Sequence, residues 1–221
     1  MKVGTDGVLL GSWTSVKNNP FSILDIGSGS GLIALMLAQR SDAAQIDAIE
    51  IDVEAYEQCV ENFEDSPWND RLFCFHASLN EFVDEMEDEQ YDLIVSNPPF
   101  FVPNTKEHIG ESRKKARFYD SLPFEHLVSA VSKLLAPTGT FAVIIPFAEE
   151  EEFIELAKRV ALFPNRVTRV KGAANSPIKR TLIELSFTEK TTIESELVLE
   201  IERHQYTQEF TTLVSDFYLN L

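Results

Sequence analysis

The sequence predicts an α/β fold in which a mostly parallel sheet carries helices on both faces and an antiparallel hairpin at one edge. Two observations lead to this prediction. Short apolar runs, typical of strands that are buried on both faces, alternate along the chain with longer segments of helical character. The last apolar runs follow one another with no clear helix between residues 181 and 201, which favours an antiparallel hairpin.

The predicted elements follow a regular order. The apolar run at 22–27 ends in an acid and glycines, a pattern typical of a buried strand that leads into a ligand-facing turn. The strand at 91–96 stops before two prolines because proline cannot donate to a ladder, and the acids at 149–152 suit the positive end of a helix dipole. Further strands are predicted at 45–51, 72–75, 140–146, 166–170, 181–187 and 197–201, a turn at 137–139, and helices at 32–39, 54–64, 79–86, 124–135, 149–161 and 210–218.

Length and composition bound the class of protein. A chain of 221 residues, 44% hydrophobic and 25% charged, can bury one α/β core, and we expect residues 1–221 to form a single domain. The chain contains no run of eighteen apolar residues and no signal-peptide pattern, and Cys59 and Cys74 suit reduced thiols, so we expect a cytoplasmic protein away from membranes. The four histidines lack metal-site spacing, so no metal is expected. No apolar surface suggests a partner subunit, and we expect a monomer.

The charge is distributed unevenly. The net charge is −17, yet residues 106–180 carry thirteen Lys and Arg against nine Asp and Glu. The rest of the chain carries six basic against twenty-seven acidic residues. A weakly basic face on an acidic body could bind RNA locally, although charge alone favours an ordinary solvated surface.

A glycine-rich turn at residues 25–31, Asp-Ile-Gly-Ser-Gly-Ser-Gly, follows the first predicted strand. Gly27, Gly29 and Gly31 let the backbone turn sharply and approach a ligand with no Cβ in the way. Dinucleotide-binding turns space their third glycine one residue later. Asp25 would repel a pyrophosphate but suits a ligand that carries an ammonium group. S-adenosylmethionine has an amino-acid end and no phosphate, so the spacing favours it as the cofactor.

An acidic residue ends the second predicted strand. Glu50 lies one strand–helix–strand step beyond the glycine turn, so it should reach the same crevice. A carboxylate at this position can accept the ribose hydroxyls of a nucleoside. The glycine turn alone is weak evidence for a cofactor, but together with Glu50 it predicts a nucleoside-containing one.

A proline-stiffened loop, Asn97-Pro98-Pro99-Phe100, follows the fourth predicted strand. The Asn97 side chain and the Pro98 carbonyl could accept both hydrogens of an amino group and direct its nitrogen lone pair towards a methyl donor. Phe100 offers a face on which an extruded base can stack, and Pro99 helps to hold the loop rigid. This reaction loop, residues 97–100, therefore predicts methyl transfer to an amino or amide nitrogen.

These segments resemble the signature of amino-methylating Rossmann-like methyltransferases. The opening segment, Lys-Val-Gly-Thr-Asp-Gly from residue 2, makes the chain similar to the tRNA1(Val) (adenine-N6)-methyltransferase family, and the resemblance runs through to residues 177–180. It implies a class I fold with a seven-stranded sheet, S-adenosylmethionine as cofactor, tRNA as substrate and an adenine beside the anticodon as target. It also implies that Asn97, Pro98 and Phe100 hold the adenine. The residues implied near the cofactor are Lys2, Thr5, Asp6, Asp25, Gly27, Gly29, Gly31, Glu50 and Asn97.

Other candidates are weaker. Ser78 follows the third strand and could lie beside the cofactor's adenine, although a helix cap explains it equally well. Basic residues after the reaction loop and near the late strands could contact RNA phosphates, which would add affinity without sequence choice. The first group is Arg113, Lys114, Lys115 and Arg117 together with Lys106, and the second is Lys179 and Arg180 together with Arg166, Arg169 and Lys171.

The sequence thus favours transfer of a methyl group from S-adenosylmethionine to adenine N6 in tRNA. Three alternatives stay open. A protein-glutamine N5 methyltransferase would act on an amide with the same paired hydrogens, and an rRNA guanine-N2 methyltransferase uses the same type of loop. A cofactor-binding RNA adaptor without activity is the non-enzymatic alternative.

Overall fold

The computed structural model describes residues 4–86, 89–99, 122–203 and 205–218. Within them, nine strands form one sheet with seven α-helices around it. The strands are β1 Ser22–Ile26, β2 Gln45–Glu50, β3 Leu72–His76, β4 Tyr91–Ser96, β5 Leu135–Pro146, β6 Phe163–Ala173, β7 Ile178–Ser186, β8 Ile193–Glu202 and β9 Gln205–Tyr206. The helices are α1 Thr5–Trp13, α2 Leu32–Arg40, α3 Val53–Glu64, α4 Leu79–Glu85, α5 Phe124–Leu134, α6 Glu150–Arg159 and α7 Gln208–Val214.

The strand order is β3-β2-β1-β4-β5-β7-β6-β8-β9. Strands β1 to β5 pair in parallel, and β7 lies antiparallel between β5 and β6. The chain leaves β1 towards β2 on one side, whereas β4 and β5 lie on the other side. The position between β1 and β4 is therefore a topological switch point, where α/β proteins open a crevice at the carboxyl ends of their strands.

The two faces of the sheet bury separate apolar clusters. Alternate strand residues point to opposite faces, so Ile23 and Leu93 join one cluster whereas Leu24 and Ile94 join the other. Helices α1, α2, α3 and α7 cover the first face, and α4, α5 and α6 cover the second. The predicted arrangement of helices on both faces of a mostly parallel sheet is confirmed.

The predicted strand count and hairpin need correction. The described residues form nine strands rather than seven, because β8 and the short β9 extend the sheet beyond β6. The strands predicted at 181–187 and 197–201 do not pair with each other: β7 pairs with β5 and β6, and β8 runs parallel to β6. An antiparallel edge pair is present, but β8 and β9 form it. The predicted turn at 137–139 lies within β5, where the register with β4 shifts.

Helix α1 is an element that the sequence patterns did not predict. Residues 7–13 are all buried, so this part of the helix has no solvent-facing side, as in a helix enclosed by the core. The Trp13 indole donates to Thr168 Oγ1 on β6 at 3.0 Å, and the Arg166 guanidinium lies 3.7 Å above the Trp13 ring. Arg166 also pairs with Glu184 on β7 at 2.7 Å. The first helix is therefore joined to the late strands of the sheet.

The described residues contain neither a candidate membrane span nor a candidate metal site. None of their helices combines the length and the apolar character that crossing a bilayer requires. None of their His, Cys, Asp and Glu side chains gathers in a group of three or more that could hold a metal ion.

Candidate functional site

The carboxyl ends of four parallel strands lie side by side and carry the predicted site residues. In the pairing register, Ile26 of β1 lies opposite both Ile49 of β2 and Ser96 of β4. The residues that follow these three are Gly27, Glu50 and Asn97. The glycine turn, Glu50 and the reaction loop are therefore neighbours at one edge of the sheet, as the sequence predicted.

The glycine turn has a backbone that only glycine adopts readily. Gly27, Gly29 and Gly31 have φ values of 72°, 58° and 77°, in the left-handed region. The Gly27 amide donates to the Ile49 carbonyl at 3.0 Å, which attaches the turn to β2. The Asn62 side chain on α3 donates to the Ser30 carbonyl at 2.8 Å. An added Cβ on Gly27 would meet no atom within 4 Å, so the space before this residue is open to a ligand.

Glu50 holds the backbone of the turn. Its Oε2 accepts the Gly29 amide at 2.8 Å, and its Oε1 accepts the Ile51 and Asp52 amides at 2.8 and 2.9 Å. A carboxylate has about four acceptor positions, of which three are filled here. Glu50 could therefore accept one ribose hydroxyl through Oε2 in this arrangement, and a second only after releasing the Gly29 amide.

Asp25 lies beneath the turn rather than on its surface. The residue is fully buried, its Oδ2 accepts the Ala34 amide at 3.2 Å, and no hydrogen bond reaches its Oδ1 among the described residues. Burial raises the pKa of Asp25 to about 7; the Ala34 amide opposes this shift and the charge of Glu50 adds to it. An unpartnered acceptor of this kind fits a cationic ligand or a water that bridges to one.

The raised pKa of Asp25 makes a testable contribution to stability. An acid whose pKa is about 7 in the folded chain and 3.8 in its ordinary state binds more protons in the folded chain at pH values between these two. Folding stability therefore falls as pH rises through this window. We expect the free energy of unfolding of the native chain to drop by about 2–3 kcal/mol more than that of Asp25→Asn between pH 5 and pH 8. Urea denaturation without ligand measures this difference.

Two features make the comparison specific. Asp47 also has a raised pKa, mainly through burial, but it is present in both proteins and cancels in the difference. Replacing the exposed Asp70 with asparagine controls for the loss of one carboxylate. Parallel pH profiles for the native chain and Asp25→Asn would contradict the assignment.

Ser78 caps α4. Its side chain accepts the Glu81 amide at 3.3 Å, and Glu81 in turn accepts the Ser78 amide at 2.9 Å, which together form a capping box. The residue follows β3, whose last residue, His76, lies opposite Glu50. Ser78 therefore lies at the same edge as the cofactor turn and has a structural role that needs no ligand.

The reaction loop lines a cavity of about 470 Å³. The cavity combines Asn97, Pro98 and Pro99 with the start of α1, where Gly4, Thr5 and Asp6 lie. The Ser96 hydroxyl is buried and donates to the Ile26 carbonyl at 2.9 Å, which fixes the end of β4 against the end of β1. The structure thus brings the predicted residues Thr5, Asp6 and Asn97 together beside the glycine turn.

The predicted RNA contacts Lys179 and Arg180 begin β7 at this same edge. Arg180 lies opposite Pro146, the last residue of β5, and its Nε donates to Asp6 Oδ2 at 2.8 Å. Glu149 lies nearby: burial is the main cause that raises its pKa, Glu152 adds to the shift and Arg180 opposes it. Arg180 therefore balances acidic groups at the rim of the cavity, whereas the Lys179 side chain is exposed.

The other basic residues near the late strands form structural ion pairs. Arg169 pairs with Glu150 at 2.6 Å and with Glu194 at 2.8 Å, and Lys171 pairs with Glu196 at 2.7 Å. Together with the Arg166–Glu184 pair, these contacts give Arg166, Arg169 and Lys171 acidic partners within the chain, and their contact with phosphates stays a prediction. These acidic partners lie on the neighbouring strands β7 and β8 and on α6.

Several predicted residues lie outside the described ranges. They are Lys2, Phe100, Lys106, Arg113, Lys114, Lys115 and Arg117. Conversely, two described residues that support the site were not predicted. The sequence contained a signal for Ser96, because this hydroxyl residue ends the strand directly before Asn97. The sequence contained no signal for Asn62, because its contact with Ser30 depends on how α3 packs against the glycine turn.

This combination of features defines a class of enzyme. A parallel sheet with an antiparallel β7, a glycine turn after β1 and an acid at the end of β2 are the features of a class I S-adenosylmethionine-dependent methyltransferase. The Methyltransferase small domain model matches residues 9–116. The solved structure of a predicted O-methyltransferase from Agrobacterium tumefaciens shares the fold, with a TM-score of 0.74 at 18% identity over 96% of both chains. A putative RNA methyltransferase from Pyrococcus horikoshii gives 0.55 at 14% identity over 81% of this chain and 80% of its own.

Similarity to curated proteins identifies the family within this class. The tRNA1(Val) (adenine(37)-N6)-methyltransferase of Flavobacterium johnsoniae is 61% identical over 100% of this chain and 94% of its own length. That of Christiangramia forsetii is 60% identical over 100% and 92%, and that of Parabacteroides distasonis is 47% identical over 100% and 92%. The chain belongs to the tRNA1(Val) (adenine(37)-N6)-methyltransferase family.

Proposed function

We propose that this chain methylates N6 of adenine 37 in tRNA1(Val), as the names of its relatives state for them. The geometric observation that carries the proposal is the cavity formed by the reaction loop and the start of α1, directly beside the glycine turn. Because the cavity and the turn are formed by one chain, the proposal requires no second subunit, and a cytoplasmic monomer would suffice.

The cofactor would lie across the ends of β1 and β2. Gly27 leaves open space before the turn, and Glu50 keeps an acceptor position for a ribose hydroxyl. Asp25 would stabilise the cationic end from beneath the turn, because its buried Oδ1 lacks a partner. When bound, S-adenosylmethionine supplies an electrophilic methyl group: N6 gains it, sulfur keeps the electron pair of the broken bond, and one N6 proton leaves to water.

The target adenine would enter the cavity beside the loop. Asn97 and the Pro98 carbonyl would accept the two hydrogens of the amino group, which directs its lone pair towards the methyl group. Pro99 would keep these acceptors in place, and the buried Ser96 hydroxyl fixes where the loop begins. Extrusion of the adenine from the anticodon loop is easier than from a duplex because loop bases are unpaired.

Basic groups would position the RNA around the cavity. Lys179 is exposed at the rim and could contact a phosphate, whereas Arg180 would act mainly by neutralising Asp6. The acidic remainder of the chain would reduce unspecific binding of nucleic acids. We also propose that Arg113, Lys114, Lys115 and Arg117 contribute phosphate contacts, because they form a basic cluster in the segment that follows the reaction loop.

The test combines the purified chain, labelled S-adenosylmethionine and tRNA from cells that lack this activity. We expect label in N6-methyladenosine after nucleoside analysis, and label in an otherwise identical tRNA transcript only when position 37 is adenine. Label in guanine N2 of ribosomal RNA, or in glutamine of a protein, would replace the proposal with one of the alternative methyltransferases. Cofactor binding without transfer to any of these substrates would favour the adaptor.

A further inference from the structure

A second, smaller cavity lies at the same edge of the sheet. It has a volume of about 170 Å³ and lies between the start of α1, the late strands and α7. Its lining combines aromatic rings with one carboxylate. The residues that matter here are Thr5, Gly172, Glu200, Tyr206, Phe210 and Tyr218.

The aromatic wall of this cavity is held rigidly. Tyr206 on β9 lies directly opposite Glu200 on β8, and its ring centroid is 5.2 Å from that of the buried Phe210. Thr207 anchors the wall, since its hydroxyl donates to the Val198 carbonyl at 2.6 Å and its amide donates to β8. Rigid rings can form a stacking surface with little loss of side-chain entropy on binding.

The second tyrosine belongs to the same wall. Burial raises the pKa of Tyr218, and the neighbouring Tyr206 adds to this shift. Both tyrosines are partly buried. Together with Glu200, they line the cavity.

This cavity adjoins the one at the reaction loop. Thr5, the first residue of α1, lines both of them. Gly172 lies near the end of β6, which runs parallel to β5, so it belongs to the same sheet edge as Asn97. The two cavities therefore meet at the start of α1.

We propose that the cavity of Tyr206, Tyr218 and Glu200 binds the base of a nucleotide that flanks the target adenine. The inference rests on the proposed tRNA substrate. Bases of single-stranded RNA stack on aromatic rings and present their edges for hydrogen bonding. Glu200 can accept only, so it selects a base that carries an amino group over uracil. Its charge would repel a phosphate, which makes a base the suitable occupant rather than the backbone.

The test measures single-turnover methylation and tRNA affinity of the intact chain. Tyr218→Leu should weaken tRNA binding roughly tenfold, because a base stacked on an aromatic side chain contributes on that scale. Gly172→Leu should do the same by filling the cavity that Gly172 lines, and its Cβ would meet Ser176 Oγ at an ordinary van der Waals distance of 3.7 Å. In both variants, S-adenosylmethionine affinity and the rate at saturating tRNA should stay near those of the native chain.

Base selection provides a second measurement. Transcripts with uracil placed on either side of the target should bind the native chain less tightly in one of the two cases. Glu200→Gln should reduce that penalty, because glutamine can also donate to uracil. Glu202→Gln, an exposed change on the same strand, is the matched control and should leave the penalty unchanged.

The outcomes separate the two proposals. If the native chain methylates tRNA but Tyr218→Leu, Gly172→Leu and Glu200→Gln all behave like it, the second subsite is wrong and the proposed function stands. If the native chain binds the cofactor but methylates no tRNA, the proposed function fails first. If the variants lose cofactor affinity or unfold earlier than the native chain, the cavity is structural and the subsite is overturned.

Discussion

Replacing Asn97 with alanine is expected to lower the rate of methyl transfer roughly 10²–10³-fold or more, with cofactor affinity nearly unchanged. The residue follows β4 and lines the reaction cavity, whereas the cofactor turn follows β1. Alanine removes the side-chain acceptor that would orient the amino group, so the loss should appear in the transition state. Single-turnover kinetics with saturating tRNA and S-adenosylmethionine measure the rate, and calorimetry measures cofactor binding.

The control for this prediction is Asn69→Ala. Asn69 is exposed and lies before β3, at the opposite edge of the sheet, so its loss removes a similar side chain away from the site. We expect Asn69→Ala to retain the native rate and affinity. An equal loss of rate and cofactor affinity in Asn97→Ala would show that the residue supports the cofactor rather than the reacting nitrogen.

Alanine at Gly31 is expected to destabilise the folded chain by about 2–5 kcal/mol. The residue has φ 77°, a conformation that costs L residues roughly 1–2 kcal/mol. Its added Cβ would also lie 2.5 Å from Phe63 Cε1 and 2.8 Å from Cys59 Sγ. Both side chains are buried in α3, so relief requires repacking that typically costs a further 1–3 kcal/mol.

Gly27 offers a matched comparison within the same turn. Its φ is 72°, but an added Cβ would meet no atom within 4 Å. Gly27→Ala should therefore cost only about 1–2 kcal/mol of stability and should weaken cofactor binding, because its methyl group occupies the open space before the turn. Urea denaturation and cofactor titration measure both effects. Equal stability losses in the two variants would contradict the steric argument.

The parts of the fold and site that follow from local sequence were predictable. Strands β1, β2 and β4 are compact apolar runs, and Gly27, Glu50 and Asn97 each come directly after or at the end of one. Parallel strands bring such positions to one edge, so the sequence spacing is sufficient to place them together. The geometry at the ends of these strands agrees with that expectation.

Helix α1 could not be predicted because its features conflict with the usual helix signals. It has no polar face, and Gly7 and Gly11 interrupt it. The structure explains both glycines. A Cβ added to Gly7 would lie 3.4 Å from Leu32, and a Cβ added to Gly11 would lie 2.7 Å from Met36 Sδ. The residues that obscure the helix in the sequence are those that allow it to pack closely on α2.

Pairings across long distances in the chain also escaped prediction. Whether Arg169 binds a phosphate or Glu150 depends on the approach of α6 to β6, and no local pattern records it. The pairing of β8 with β6 rather than with β7 likewise depends on tertiary packing and not on a local pattern. Sequence patterns identify elements well, but the partners of charged residues are set by tertiary packing.

The contact between Trp13 and Thr168 also has a consequence for biosynthesis. The two residues are 155 positions apart, so α1 lacks part of its packing until β6 has emerged from the ribosome. At typical translation speeds this interval is about 8–30 s. During that time α2 can already pack on the side of α1 that carries Gly7 and Gly11, whereas the Trp13 indole still lacks Thr168 as its hydrogen-bond acceptor. The wall that α1 contributes to the reaction cavity is therefore completed late, when most of the polypeptide exists.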